Sequence, residues 1–201
     1  MTQRGDATRS QLLDAAAAVF VERGYAGATT KEIAGRAGVS EGTIYRHFAD
    51  KRELFGAVFA TRNAADFEAM TALPALAGTK TVRENLLFLV QAIQDVEREV
   101  APLRAAAFSD ADLASALVSA PSDPGMSVVS PLEPLTRYLA AEQGIGRIRI
   151  NVDCAAAAFA LFSIPFTAVT MDRLARATGA AHGSDMVGAI DLVLEGILPP
   201  E

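Results

Sequence analysis

Four helix starts follow one another between Thr8 and Glu53, and that density constrains the chain more than any other feature. A helix leaves its first backbone N–H groups without partners. A Ser, Thr or Asp followed three residues later by Glu or Gln satisfies them from both sides. Thr8 with Gln11 opens a first helix, on which Leu12, Leu13, Ala16, Val19 and Phe20 form one apolar stripe. Gly24 stands just past its last turn, where a left-handed residue is wanted. Thr29 with Glu32 opens a second helix, which turns Ile33, Ala34 and Ala37 inward and ends at Gly38. Ser40 caps a very short third helix, Glu41 to Phe48, and Asp50 with Glu53 opens a fourth that carries Leu54, Val58 and Phe67. Short helices with their own caps make a compact helical unit.

The same signals continue to the C-terminus. Leu73 to Gly78 reads as a break. Thr81 with Glu84 opens a long helix with Leu86, Leu89, Val90 and Ile93 on one face, and Ser109 with Asp112 opens another. Pro121 to Gly125 is a loop. A helix over Pro131 to Gln143 ends at Gly144 and Gly146. Asn151 caps a long apolar helix to about Thr178, interrupted by Pro165, and Ser184 caps a last one that ends at Leu198 before Pro199 and Pro200. Arg147 to Ile150 alternates but is too short for a strand, so the expectation is an all-α chain.

Composition excludes several classes. Of the 201 residues 51% are apolar, enough for a real core, and 21% are charged, which rules out a disordered chain or a coiled-coil rod. No uninterrupted apolar run reaches ~18 residues, so no membrane span is expected, and the polar stretch Met1 to Asp14 is no secretory leader. The lone Cys154 permits no intrachain disulfide and no cysteine-based metal site, which fits a cytoplasmic protein. Residues 1–60 carry eight Lys and Arg against seven acids, while the remainder carries ten against seventeen. The nearly neutral N-terminal end therefore sits on an acidic body, a faint hint of a polyanion-facing end.

The stretch from Thr29 to Phe48, TTKEIAGRAGVSEGTIYRHF, carries the function. Two helices joined by Gly38-Val39-Ser40 make a helix-turn-helix. Ala34 and Ala37 are small enough for the helix crossing, Val39 plugs the turn, and Ile44 with Phe48 anchors the second helix inward. Thr43, Tyr45, Arg46 and His47 are left as partners for phosphates and base edges on a helix that fits a major groove.

With Phe20, Gly24, Lys51 and Leu54 around it, this string resembles the N-terminal DNA-binding domain of the TetR family of transcriptional regulators, over about Thr8 to Phe59. The resemblance implies a three-helix DNA-binding domain over residues 8–59, with its motif at 29–48, and a C-terminal helical domain over 60–201 that binds an effector and dimerises. It further implies a homodimeric repressor that leaves a palindromic duplex operator when a small ligand shifts the spacing of its two reading helices. A family member that activates, or that binds DNA without an effector, is the alternative. An enzyme with an apolar pocket is a remote one: no nucleophile elbow, phosphate loop, paired acids or metal cluster is visible, and no catalytic residue or cofactor is assigned.

Residue by residue, Thr30 and the helix start it marks, with Lys31 beside it, are expected to bind phosphate. Ser40 is both cap and phosphate donor, and Gly42 either allows close backbone approach or is a tolerated helix glycine. Thr43 faces a phosphate or a thymine methyl, and Tyr45 gives its hydroxyl to a phosphate. Arg46 reads a guanine edge or pairs with a surface acid, and His47 is a neutral phosphate donor. Lys51 is expected on a phosphate, since a cation at a helix start otherwise opposes the dipole. Glu41 either accepts from a cytosine N4 amine or merely favours the dipole of the third helix, and the dipole is the preferred reading.

In the C-terminal part Phe88, Phe108, Met126, Phe159, Phe162 and Phe166 are the candidate lining of an effector pocket, beside a kink at Pro165. The scarcity of charge there favours a mainly apolar ligand. Val187, Ile190, Leu194 and Ile197 form a stripe on the last helix that would be core in a monomer; the resemblance implies that part of it, with part of the helix over 152–178, makes a four-helix dimer interface.

Overall fold

The computed structural model describes residues 3–108, 110–119, 132–180, 183 and 185–199, and within them every regular element is helical. The chain runs α1 (Gln3–Gly27), α2 (Thr30–Arg36), α3 (Glu41–His47), α4 (Lys51–Arg62), α5 (Ala64–Ala72), a 3₁₀ turn (Leu73–Leu76), α6 (Val82–Phe108), α7 (Ala111–Ser119), α8 (Leu132–Gly144), α9 (Cys154–Thr178) and α10 (Met186–Ile197). The all-α expectation holds.

Several boundaries differ from the sequence reading, each for a local reason. The first helix starts at Gln3, so Thr8 lies inside it, and Gly24 (φ 69°, ψ 168°) is a kink after which helical residues continue to Gly27. The fourth helix stops at Asn63, whose backbone and side-chain N–H groups both donate to the Phe59 carbonyl, so residues 64–72 form a separate helix. Asp153, not Asn151, caps α9 by accepting from the Ala155 and Ala156 amides. Asp185 caps α10 by accepting from Gly188 N–H, and Asp110 caps α7 through Asp112 and Leu113 N–H. In all three cases the carboxylate supplants the polar residue first expected; Ser109 and Ser184 lie outside the described residues. α9 passes Pro165 as a single helix.

Two compact units form. The first comprises Met1–Ala64 with Val100–Val128, the second Ala65–Glu99 with Val129–Glu201. Residues 8–59 thus pack with the end of α6 and with α7. In the first unit Leu12, Val19, Ile33, Ile44, Leu54, Phe55 and Val58 are wholly shielded from solvent. Fully burying each such side chain contributes roughly 1.5–3 kcal/mol. Phe55 meets both Phe20 and Tyr25 edge to face beside this core, and the Phe20 and Tyr25 rings lie tilted by 31° to each other.

In the second unit Leu86, Leu89, Ile93, Leu135, Leu139, Leu161 and Ile190 make the core, with α9 packed on α8 and α10. One polar chain crosses it. Asn85 Nδ2 donates to the buried Tyr138 hydroxyl (3.2 Å), and Glu142 accepts from Gly78 N–H (3.2 Å) and pairs with Arg147 (3.2 Å). Burial pushes the Tyr138 phenol up to about 12.

Candidate nucleic-acid interface

Thr29 opens α2 by accepting from Glu32 N–H at 3.2 Å. The turn after it closes through Val39 N–H to the Ala34 carbonyl (3.0 Å), with Gly38 at φ 69°, a left-handed position that favours glycine. Ile33, Ala34, Ile44 and Phe48 are buried. These four anchors fix α3 against α2, and the opposite face of α3 is open to solvent.

Three candidate residues meet there. The Thr30 hydroxyl donates to Glu41 Oε1 at 2.5 Å and lies 3.3 Å from the Tyr45 hydroxyl. Tyr45 is 54% exposed. Glu41 therefore does more than favour the helix dipole: it holds the Thr30 hydroxyl that was expected to be free for phosphate. Lys31, Ser40, Gly42 and Arg46 are exposed and His47 is half-buried. A Cβ on Gly42 would meet nothing within 4 Å, so packing inside the chain does not demand glycine there.

Two expectations need correction. Thr43 is only 6% exposed, and its hydroxyl is held by Ser40 Oγ (2.9 Å) and Arg46 Nη2 (3.2 Å). It latches the motif from within, with its hydroxyl engaged by the chain's own side chains. Ser40 stands at the N-cap of α3, yet its hydroxyl reaches Thr43 Oγ1 instead of a helix amide.

Lys51 is the second correction. Its ammonium donates to the carbonyls of Tyr25 and Ala28, both at 2.9 Å, and sits 4.3 Å from the centre of the Tyr25 ring. A cation at the start of α4 is tolerated because it lies at the carbonyl-rich end of α1, where the helix dipole favours it. Two of its three donors are committed inside the protein. No feature of the sequence placed Tyr25 beside it. Asp50, beside Lys51, caps α4 through Arg52 and Glu53 N–H (2.8 Å each); those backbone bonds, that from Glu53 foremost, and the Arg52 guanidinium hold its carboxyl below the ordinary range.

The aromatic residues of the C-terminal part are not gathered into one lining. Phe88, Phe108 and Phe159 are exposed, Phe162 stacks on Phe166 at 4.6 Å against the second core, and Met126 lies outside the described residues. An apolar groove of about 330 Å3 between α9 and α10 is lined instead by residues that include Ala160, Ile164, Thr167, Met171 and Met186.

The stripe on α10 divides between core and surface. Ile190, Leu194 and Ile197 are buried within the chain's own core, and only Val187 is exposed. Outward-facing apolar residues lie elsewhere, at Leu192 on α10 and at Phe159, Met171 and Leu174 on α9. With an apolar outer face as well as a core face, α9 is long and apolar enough to cross a membrane by length and composition (mean hydropathy 1.8).

Comparison with known proteins converges on one family. Residues 12–58 match the model described as bacterial regulatory proteins, tetR family. The HTH-type transcriptional activator FasR of Mycolicibacterium smegmatis is 57% identical over 53 residues, 26% of this chain and 24% of that protein. The match thus spans about a quarter of that relative. Over nearly the whole chain the fold is similar to that of a TetR-family regulator from Mesorhizobium loti (TM-score 0.73, 24% identity, 97% of this chain and 96% of that one). It is also similar to FadR from Bacillus subtilis, solved in complex with stearoyl-CoA (TM-score 0.68, 22% identity, 92% and 95%). The reading motif at 29–48 lies inside the segment, residues 12–58, that matches the tetR family of bacterial regulatory proteins, and the fold over nearly the whole chain is similar to that of a solved TetR-family regulator.

Proposed function

We propose that the protein is a sequence-specific DNA-binding transcriptional regulator that acts in the cytoplasm as a homodimer and leaves a palindromic operator when a small, mainly apolar ligand binds. The observation that carries this reading is the solvent-facing group of Thr30, Tyr45 and Glu41 on a helix pair whose other side is locked by buried Ile33 and Ile44. α3 enters the major groove, and Tyr45, Arg46, His47 and Lys31 are its outward partners, with Thr30 joining when Glu41 yields its bond. Arg46 is poised by Thr43, which restricts the rotamers of a guanidinium able to grip guanine or phosphate.

The dimer forms through α9 and α10. Leu192, Phe159 and Met171 lie on their outer faces, and the apolar groove beside Met171 receives the second copy. Such an isologous contact sets two reading helices on one duplex. The stearoyl-CoA held by FadR supports an apolar ligand for this chain. The FasR relative, named a transcriptional activator, supports a second reading, activation in place of repression.

Fluorescence anisotropy of the full chain on the duplex upstream of its own gene tests the reading. Binding should weaken steeply from 50 to 200 mM salt, about 10³-fold or more if six or more phosphates are contacted. Tyr45→Ala with Arg46→Ala should remove specific binding while thermal unfolding stays as in the wild type. Transcription in vitro from that duplex, with and without bound protein, separates repression from activation.

A further inference from the structure

Arg98 on α6 and Arg173 and Arg176 on α9 line one recess of about 520 Å3, together with Val169 and Ala177. Val169, Arg173 and Arg176 follow i, i+4, i+7 spacing and so share one face of α9. Three guanidiniums converging on one recess is unexpected in a chain of net charge −6.

Their commitments are few. Arg98 gives Nη1 to Asp95 at 2.8 Å. Arg176 gives Nε to the Asp172 carbonyl at 3.3 Å. Among the described residues neither Arg173 nor Arg176 forms an ion pair with a carboxylate. Their place in the last turns of α9 suits the helix dipole, but one cation would serve that purpose, and it accounts for neither Arg98 nor the recess.

We infer that this recess binds an organic phosphate through Arg98, Arg173 and Arg176. Each guanidinium presents a rigid fork of N–H donors that matches phosphate oxygens two at a time. A single carboxylate would occupy one fork, whereas a diphosphate has oxygens and charge for three. The volume lies within the range of pockets for whole small molecules, roughly 300–1,000 Å3, and leaves room for the group that carries the phosphates beside Val169 and Ala177. The inference concerns binding alone and stands apart from the role of α3.

Isothermal titration of the full chain with adenosine diphosphate, inorganic pyrophosphate and adenosine tests it. Adenosine diphosphate should bind saturably, one per chain, and more tightly than pyrophosphate, and adenosine should not bind. Arg173→Gln with Arg176→Gln, and separately Arg98→Gln, should weaken binding at least tenfold, while the thermal unfolding of each variant stays that of the wild type. Arg83→Gln, at an arginine paired with Asp191 elsewhere in the second unit, should leave binding unchanged. No binding of the diphosphate, binding indifferent to the three arginines, or loss of binding in Arg83→Gln as well would overturn the assignment. Equal affinity for pyrophosphate and adenosine diphosphate would overturn its organic part.

Discussion

The Lys51 ammonium lies 4.3 Å from the centre of the Tyr25 ring and donates to the Tyr25 carbonyl at 2.9 Å. This single side chain closes the end of α1 against the start of α4, and through it the frame that supports α2 and α3. Lys51→Ala should therefore lower stability by about 1.5–3 kcal/mol, the scale of hydrogen bonds to a charged group. Urea unfolding should show a lower midpoint with an unchanged slope. A variant as stable as the wild type, with weakened DNA binding alone, would return Lys51 to a purely phosphate-facing role.

Glu41 sets what Thr30 can offer. With its carboxylate gone, one negative charge leaves the reading face and the Thr30 hydroxyl is released. Glu41→Ala should raise affinity for non-operator duplex several-fold, measured by anisotropy at fixed salt. A loss of affinity confined to operators with a cytosine at one position would instead make Glu41 a base reader.

Two titrations shape stability with opposite signs. The Asp50 carboxyl is held below its ordinary value, so the folded state binds its proton less readily than the unfolded chain. Its contribution is present above about pH 3.9, the unfolded value, and is lost as pH falls below that through the folded value. Asp50→Ala should cost about 0.5–2 kcal/mol at pH 7 as a lost helix cap, and the difference from wild type should shrink on acidification. Tyr138 is raised to about 12, so its contribution is intact below pH 10 and is lost between pH 10 and 12. Tyr138→Phe should flatten that alkaline fall. Chemical unfolding across pH reads both effects.

The outer faces of α9 and α10 separate assembly from folding. Phe159 and Leu192 are 64% and 71% exposed, whereas Leu194 is 3% exposed. Phe159→Glu and Leu192→Asp should give folded monomers by light scattering. Leu194→Asp should fail to fold, because it buries a carboxylate without a partner. A folded dimeric Phe159→Glu, Leu192→Asp double variant would place the interface elsewhere.

Helix content and the reading motif were legible because caps and apolar spacing are local signals. Thr29 with Glu32, and Ile44 four residues before Phe48, needed no knowledge of distant residues. The partners of Lys51 were not legible because they are carbonyls 23 and 26 residues away, and backbone oxygens leave no mark on a sequence. Thr43 was misjudged because a short helix buries more of its circumference than its spacing implies, here under Ser40 and Arg46. The stripe of Ile190, Leu194 and Ile197 is periodic whether it meets its own core or a second copy. Burial alone separates the two, and it assigns those three to the core. The arginine recess brings together residues more than seventy positions apart, on α6 and α9.

The central claim is that the face shared by Thr30, Tyr45 and Arg46 reads duplex DNA, and in vitro selection of the full chain against a random duplex pool tests it most directly. The account predicts an enriched palindrome with half-site centres about 10–10.5 base pairs apart, or a multiple of that, and loss of the enrichment in a Tyr45→Ala, Arg46→Ala variant that unfolds like the wild type. A palindrome recovered equally well by that variant, or a pool with no enriched sequence, would contradict it.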